Sequence, residues 1–311
     1  MIEEKEAICI SSQSIIVLAG ATGDLGGRIA RELVKQPNVR VKALVRHSTT
    51  ADKLKKLHQL GVDIIAVDYY QHHDLIAACQ GADSVVSALS GLYTDVVETQ
   101  SRLLDAAVKA GVPRFIPSDY SMDYRYLPDG SNRNLDLRRQ FMQRLDAAPI
   151  QATSILNGVF ADILTGTAPL VLFPIHRVLY WQDADQPMDF TTMDDIAAFT
   201  ARAALDEQAP RFLHIAGDQV NARQLASVME QLTGKRHRLL RGGSLKSLRR
   251  LIAIMRRVAP QPNELYPAWQ GMQYFDGMFS GLGKLERLDN DRYPDLEWTS
   301  VQQVLAAHLE K

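Results

Sequence analysis

The feature that most constrains this chain is a set of three glycines between a short apolar run and a helical pattern. The segment 14–27 reads SIIVLAGATGDLGG. The first glycine lets the chain turn tightly out of a strand, the second lets the backbone approach a pyrophosphate, and the third lets the helix pack on the sheet. The following helix N-terminus offers unpaired N–H groups to phosphates. We therefore expect a dinucleotide-binding loop, with Thr22 donating a hydroxyl contact and Asp24 capping the helix. The residues expected at the phosphates are Gly20, Thr22, Gly23, Asp24, Leu25 and Gly26.

Short β-branched apolar runs alternate with helical patterns through the first half of the chain. This alternation predicts an α/β fold, a doubly wound parallel sheet of the Rossmann type covered on both faces. The predicted strands are 14–19, 39–45, 62–67, 83–89, 114–118 and 150–156, and the predicted helices are 24–36, 52–60, 72–79, 95–110 and 133–147.

The rhythm changes after Gly158, where prolines interrupt short strand-like pieces. A helix within 188–206 can be capped by Thr192 or Asp194, and a strand is expected at 211–217. The remainder is expected to form a smaller, mostly helical C-terminal lobe over the cofactor site. The predicted organisation is a flexible leader at 1–13, a dinucleotide domain at 14–157 with a return segment at 187–216, and a substrate or partner lobe from 158–186 and 217–311.

The end of the second strand favours NADP(H) over NAD(H). An NAD-type site has Asp or Glu there to bind the ribose 2′-OH. This chain has Arg46, whose guanidinium can hold a 2′-phosphate by two bonds. Ser48 and Lys55 can add contacts, and the alternative is a solvated surface arginine. Asp68, after the third strand, either flanks the adenine or is a turn former.

Composition narrows the partners. The 35 Lys and Arg residues balance 36 Asp and Glu residues, which argues against nucleic acid as a partner. The apolar runs are too short to span a membrane. We expect no metal site, because no HExxH or CxxC spacing occurs. The acidic leader does not resemble a secretory signal, and one of the two cysteines, Cys9, lies in it, so a cytoplasmic location is expected.

Several segments together resemble the NmrA-like and isoflavone-reductase-like atypical short-chain dehydrogenases. They are GATGDLGG, ALVRHST, GVDIIAVDYYQHHDL, GADSVVSALS, LLDAAVKAGVPRFIPSDYS and LNGVF, all between residues 14 and 160. The resemblance implies an NADP(H)-binding Rossmann domain with a small substrate domain. It implies that the dinucleotide is lined by Ala88, Leu89 and Ser90, and that the nicotinamide is approached by Pro117, Ser118, Asn157 and Phe160.

The chain departs from this family at the proton donor. The resemblance implies a lysine in the helix after Ser118, but the matching place holds Arg138 and no lysine occurs between Lys109 and Lys235. An arginine is a poor acid, although it can stabilise an oxyanion. Tyr120 or Tyr124 can donate the proton if a cation lowers its pKa, and packing is the alternative for both. The candidate catalytic residues are Tyr120, Tyr124, Arg138 and Ser118.

Three interpretations of the function stay open. The first is an NADPH-dependent reductase of a small aromatic or cyclic carbonyl or alkene. The second is a non-catalytic NADP(H)-sensing regulator whose closure a protein partner detects. The third is an epimerase or dehydratase with tightly held cofactor. A segment at 235–257 carries nine Lys and Arg residues and no acid. It is either a solvated helix face, a surface for an acidic partner or membrane, or a contact to an anionic substrate.

Overall fold

The structure is a computed structural model that describes residues 13–166 and 168–310, so most of the predicted leader lies outside the described residues. The strands are β1 (Ser14–Ala19), β2 (Val39–Arg46), β3 (Asp63–Val67), β4 (Ser84–Ser87), β5 (Arg114–Ile116), β6 (Gln151–Ala152), β7 (Ser154–Leu156), β8 (Val159–Phe160), β9 (Val171–Leu172), β10 (Arg177–Trp181), β11 (Met188–Thr191), β12 (Phe212–His214), β13 (Asp218–Val220) and β14 (Arg238–Gly243). The α-helices are α1 (Asp24–Val34), α2 (Ala51–Leu60), α3 (His72–Cys79), α4 (Gln100–Lys109), α5 (Arg133–Asp146), α6 (Met193–Leu205), α7 (Ala222–Thr233), α8 (Leu245–Val258), α9 (Ala268–Phe279) and α10 (Val301–Leu309). A π-helix spans Thr94–Thr99, and 3₁₀ helices span Tyr124–Tyr126, Ala161–Thr165, Phe173–Ile175 and Asn290–Arg292.

The main sheet is parallel and has the order β3-β2-β1-β4-β5-β6. Ile16 of β1 lies beside Val41 of β2 on one side and Ser84 of β4 on the other. The chain therefore changes winding direction between β1 and β4, and in such sheets ligands bind beyond the carboxyl ends of the strands at that point. The predicted doubly wound Rossmann-type fold is confirmed.

The two faces of this sheet are buried by different helices. Alternate residues of β1 point to opposite faces, as the period of two requires. Ile16 and Leu18 pack in one core cluster with Ile29 of α1 and Phe199 of α6. Val17 packs in a second cluster that includes residues of α3, α4 and α5. Both faces are covered by helices, which explains why the strands are continuous apolar runs rather than alternating ones.

The predicted strand at 150–156 is two strands. β6 pairs with β5, whereas β7 pairs with β12. The break is at Thr153, a fully buried residue whose hydroxyl accepts a hydrogen bond from the Arg114 guanidinium at 2.6 Å. Helix α6, which lies in the predicted return segment, packs against α1. Thr192 caps α6 by accepting the Asp195 N–H at 3.1 Å, so Thr192 rather than Asp194 is the cap.

The C-terminal part has its own core and two small three-stranded sheets, β13-β11-β8 and β14-β10-β9. The prediction of a mostly helical lobe is correct for α7 to α10 but missed these sheets.

The basic segment 235–257 forms β14 and most of α8. Leu248 and Ile252 of α8 are buried, whereas Leu251, Ile254 and Val258 are exposed. Within the described ranges, every helix is too short or too polar to cross a bilayer.

Candidate functional site

The glycine loop is pressed between the ends of β1 and β4. Gly20 has φ +85°, and a Cβ there would lie 2.5 Å from the carbonyl oxygen of Ala88. A Cβ on Gly26 would lie 2.1 Å from the carbonyl oxygen of Gly20. Both positions therefore exclude a side chain, as the sequence analysis expected. The N-cap of α1 is Gly23, and no side chain caps it within the described chain. The first-turn N–H groups are thus left for a ligand.

Asp24 does not cap the helix, contrary to prediction. It is the first residue of α1, and its carboxylate accepts from Arg28 Nε at 2.9 Å. Leu25 is half-buried, packs against the core cluster of Ile16 and Leu18, and does not belong to the cavity lining described below. The glycine loop therefore offers the cavity mainly backbone groups and the side chain of Thr22.

A cavity of about 300 Å³ opens next to this loop. It brings together eight residues predicted to bind the dinucleotide, namely Gly20, Thr22, Gly23, Arg46, Ser48, Ala88, Leu89 and Ser90. Its other lining residues are Leu44, Val45, Thr49, Thr50, Lys53, Tyr69 and Asp95. The cavity lies beyond the carboxyl ends of β1, β2 and β4. It is the place where an α/β sheet of this order binds its ligand.

The β2 end of the cavity is cationic. The Arg46 side chain is 58% exposed, and its Nη2 pairs with Asp95 Oδ1 at 2.5 Å. The helix α2 begins at the same place, with Thr50 as its N-cap. Lys53 lines the cavity, and the predicted Lys55 does not belong to the lining. Residues two apart on a helix lie about 200° apart, so Lys55 is on the other side of α2.

Asp68 is a turn former. Its Oδ1 accepts the Tyr70 N–H at 2.9 Å, and the neighbouring Tyr69 lines the cavity in its place. Burial raises the pKa of Tyr69, although the charge of Arg46 opposes this shift.

The sequence analysis missed Tyr69, Lys53 and Asp95. Lys53 could have been predicted from the sequence. With Thr50 as the N-cap, Lys53 is the third residue of α2 and therefore lies near the N-terminus of that helix. Asp95 had no local signal, because its neighbour Arg46 is 49 residues away.

We call the line of carboxyl strand ends that runs from β2 to β7 the groove. Its far end, beyond β5 and β7, differs from the cavity. Ser118 is buried, its hydroxyl donates to the Leu89 carbonyl at 2.7 Å, and its N–H donates to Gln100 Oε1 at 2.9 Å. Pro117 is buried beside it. These bonds tie the end of β5 to the segment after β4. The Ser118 hydroxyl is therefore used inside the fold and would have to rotate to reach a substrate.

Tyr120 and Tyr124 are core residues. They are 4% and 0% exposed, and neither hydroxyl has a hydrogen-bond partner of normal geometry within the described residues. Burial raises the pKa of both, and the nearby Asp119 charge raises that of Tyr124 further. The sequence analysis required a lowered pKa for a proton donor, so the structure places both tyrosines in the packing role given as the alternative.

Asp119 and Arg138 lie near Tyr124. Asp119 is fully buried, and its Oδ2 accepts the Ser154 hydroxyl at 2.6 Å. Burial raises the pKa of Asp119, while the charges of Arg138 and Arg211 oppose the shift. Arg138 is half-buried and donates from Nη1 to the Asn134 carbonyl at 3.1 Å. It places a fixed positive charge at this end of the groove without supplying a transferable proton.

Asn157 and Phe160 also lie at this end. Asn157 is completely buried, its N–H donates to the Ser121 carbonyl at 2.9 Å, and its amide side chain has no partner among the described residues. Phe160 is half-buried against the core. A small gap nearby is lined in part by Met122, Gly158 and Met278, and its volume of about 10 Å³ is too small for a substrate.

A model of the NmrA-like family matches residues 12–303. The chain belongs to the NmrA-like family. Isoflavone reductase homolog IRL of Zea mays is 26% identical over 321 residues, covering 96% of this chain and 99% of that protein. Pinoresinol reductase 1 of Arabidopsis thaliana is 29% identical over 245 residues, covering 71% of this chain and 74% of that protein. The solved structure of AtPrR2 with NADP⁺ and (+)pinoresinol has a TM-score of 0.82 at 22% identity, covering 96% of this chain and 99% of that one.

The relatives of this NmrA-like chain thus include named reductases, and a protein of the same fold binds NADP⁺. They match this chain along nearly its whole length or, for pinoresinol reductase 1, along about three quarters of it. The family assignment agrees with the resemblance stated from the motifs.

Proposed function

We propose that this NmrA-like protein binds NADP(H), with the adenosine end in the cavity beside the glycine loop. The observation that carries the proposal is the group of donors where β2 ends. Arg46, Ser48 and Lys53 line one wall of the cavity together with the N-terminus of α2. A 2′-phosphate needs several charge-assisted donors, and a helix N-terminus stabilises an anion. The end of β2 itself carries Arg46 where an NAD-type site has a carboxylate.

We further propose that the protein uses NADPH to reduce a small aromatic or cyclic carbonyl or alkene. Bound NADPH supplies the hydride. Arg138 stabilises the negative charge that develops on the substrate, because its guanidinium is charged at every physiological pH. Since Tyr120 and Tyr124 are buried, water delivers the proton to the stabilised anion. The named activities of the relatives support this proposal.

An NADP(H)-sensing regulator is the second candidate, and a specific observation favours it. Tyr120, Tyr124 and Asn157 are buried, and the gap beside Gly158 is only about 10 Å³, which is too small for a substrate. Coenzyme binding can then act through closure of the C-terminal lobe. The exposed apolar residues of α8 form a surface that a protein partner can contact.

A cytoplasmic location remains a prediction from the cysteine content.

The two candidates separate in one experiment. The protein is saturated with NADPH, binding is verified by calorimetry, and NADPH oxidation is followed with quinones, enones and aldehydes. The reductase proposal expects turnover with at least one class. It also expects Arg138→Gln to lower kcat by about 100-fold, because one oxyanion donor is removed, and Arg138→Lys to retain turnover. A silent panel with intact binding supports the regulator, and an Arg138→Gln variant as active as the wild type rejects the role of Arg138.

A further inference from the structure

Asp95 is an acid in a cavity that the proposed function fills with phosphates. Its carboxylate lines the same cavity as Arg46 and Lys53. We propose that Asp95 acts as an internal competitor of the coenzyme: it holds the Arg46 guanidinium in the empty protein, and the 2′-phosphate of NADP(H) displaces it. The inference rests on the proposed NADP(H) site and makes Asp95 a residue that sets coenzyme selectivity.

The contact itself supports an exchange. Arg46 Nη2 donates a charge-assisted hydrogen bond to Asp95 Oδ1. The Arg46 side chain is 58% exposed and that of Asp95 is 28% exposed. Partly exposed ion pairs contribute little free energy and form and break easily. A phosphate group, with more charge and more acceptor oxygens than a carboxylate, can therefore replace Asp95 on the guanidinium.

The backbone around Asp95 leaves room for the carboxylate. A Cβ on Gly91 would lie 2.1 Å from Asp95 Oδ2, so the absence of a side chain at 91 lets the carboxylate rest there. Asp95 is also the second residue of the π-helix Thr94–Thr99, which continues into α4. The π-helix is a rare conformation that is frequently found at functional sites. After release from Arg46, the carboxylate stays at a helix N-terminus, where the helix dipole stabilises it.

The exchange predicts different effects on the two coenzymes. NADPH must displace Asp95 from Arg46 and then lies close to its negative charge, so Asp95 lowers the affinity for NADPH. NADH has a hydroxyl in place of the 2′-phosphate, so the ion pair can persist when NADH binds. Asp95 therefore narrows the preference for NADPH that Arg46 creates.

The test compares Asp95→Asn with Asp105→Asn. Asp105 is an aspartate on α4 that pairs with Arg144 at 2.6 Å, away from the cavity lining. Calorimetric titration at low salt is run with NADPH and NADH for both variants and the wild type. We expect Asp95→Asn to bind NADPH about fivefold more tightly and to change NADH affinity less than twofold. Asp105→Asn is expected to match the wild type with both coenzymes, and thermal unfolding verifies that each variant is folded.

Two results overturn the inference, and they are distinguishable. If the wild type binds NADPH but Asp95→Asn binds it equally or less tightly, Asp95 positions Arg46 rather than competing with the coenzyme, and the proposed function survives. If the wild type binds neither coenzyme, the NADP(H) site itself is rejected and the competition falls with it.

Discussion

The two ends of the groove differ in how their polar groups are used. At the proposed adenosine end, Arg46 and Thr22 line an open cavity beside the N-terminus of α1, which no side chain caps within the described residues. At the proposed nicotinamide end, the Ser118 hydroxyl is bonded within the fold, and Tyr124 is buried with its hydroxyl unpartnered among the described residues. The first end is built to receive a charged ligand. The second is packed as a core, so the two ends present their polar groups in opposite ways.

The largest expected effect comes from the loop that forms the adenosine end. Gly26→Val puts a side chain 2.1 Å from the Gly20 carbonyl oxygen, so either α1 or β1 must move. We expect unfolding free energy to fall by about 3 kcal/mol and NADPH binding to be lost, as measured by thermal unfolding and calorimetry.

The matched control for this change is Gly271→Ala. Gly271 lies in α9, and a Cβ there meets nothing within 4 Å. An alanine should therefore leave coenzyme binding unchanged and raise stability by up to about 1 kcal/mol. If Gly26→Val still bound NADPH, the glycine loop would not be the part of the groove that receives the coenzyme, and the contrast drawn between its two ends would be wrong.

Two nearby carboxylates at the other end are expected to respond differently to removal of their charge. Asp123 is buried and holds Arg125 by bonds to its Nε at 2.9 Å and Nη2 at 2.7 Å. Asp123→Asn breaks this pair and should lower the free energy of unfolding by about 2 kcal/mol, since Arg125 remains partly exposed. Asp119→Asn keeps an acceptor for Ser154 and removes a buried charge, so its stability at pH 7 should equal or exceed that of the wild type.

The pH dependence follows from the raised pKa of Asp119. The folded protein binds the proton of the Asp119 carboxyl more tightly than the unfolded chain does. Protonation of Asp119 therefore stabilises the fold fully below the ordinary pKa of 3.8. This stabilisation is lost as the pH rises through the higher pKa of the folded protein. Urea unfolding across this range should show a shallower loss with rising pH for Asp119→Asn than for the wild type. Equal slopes would show that Asp119 is not the group responsible.

The smallest effect is expected at Tyr124. Because its hydroxyl is buried without a partner of normal geometry in the described chain, Tyr124→Phe should raise the free energy of unfolding by up to about 1 kcal/mol. If the protein reduces a substrate, kcat should stay within twofold of the wild type. Tyr120→Phe serves as the parallel variant. A large fall in kcat for Tyr124→Phe alone would make it the proton donor after all.

Eight of the residues predicted to bind the dinucleotide do line one cavity, because steric constraints on the backbone are visible in the local sequence. Gly20 and Gly26 must be glycines for steric reasons. The position of Arg46 could be predicted because it is the last residue of the apolar strand β2. Lys53 was missed because the start of α2 was placed one residue late, which left the choice between Lys53 and Lys55 open to error. Asp95 depends on a contact across the sheet, which no local pattern encodes.

The nicotinamide end was harder to predict for a physical reason. A tyrosine in a loop after a strand has the same sequence pattern whether its hydroxyl faces a ligand or the core. The direction of Tyr120 and Tyr124 is decided by packing against α6 and the C-terminal lobe, which follow much later in the chain. The split of the last predicted strand at Thr153 likewise depends on Arg114 and β12.

The most direct test of the NADP(H) site is a calorimetric titration of Arg46→Asp with NADPH and NADH. Arg40→Asp is the matched control, because Arg40 lies near the other end of the same strand, where it pairs with Asp63. We expect Arg46→Asp to weaken NADPH by about 100-fold, as loss of a charged pair and its replacement by repulsion predict, and NADH by less than threefold. Arg40→Asp should change neither. Equal losses for the two coenzymes in Arg46→Asp, or no loss for either, would contradict the account.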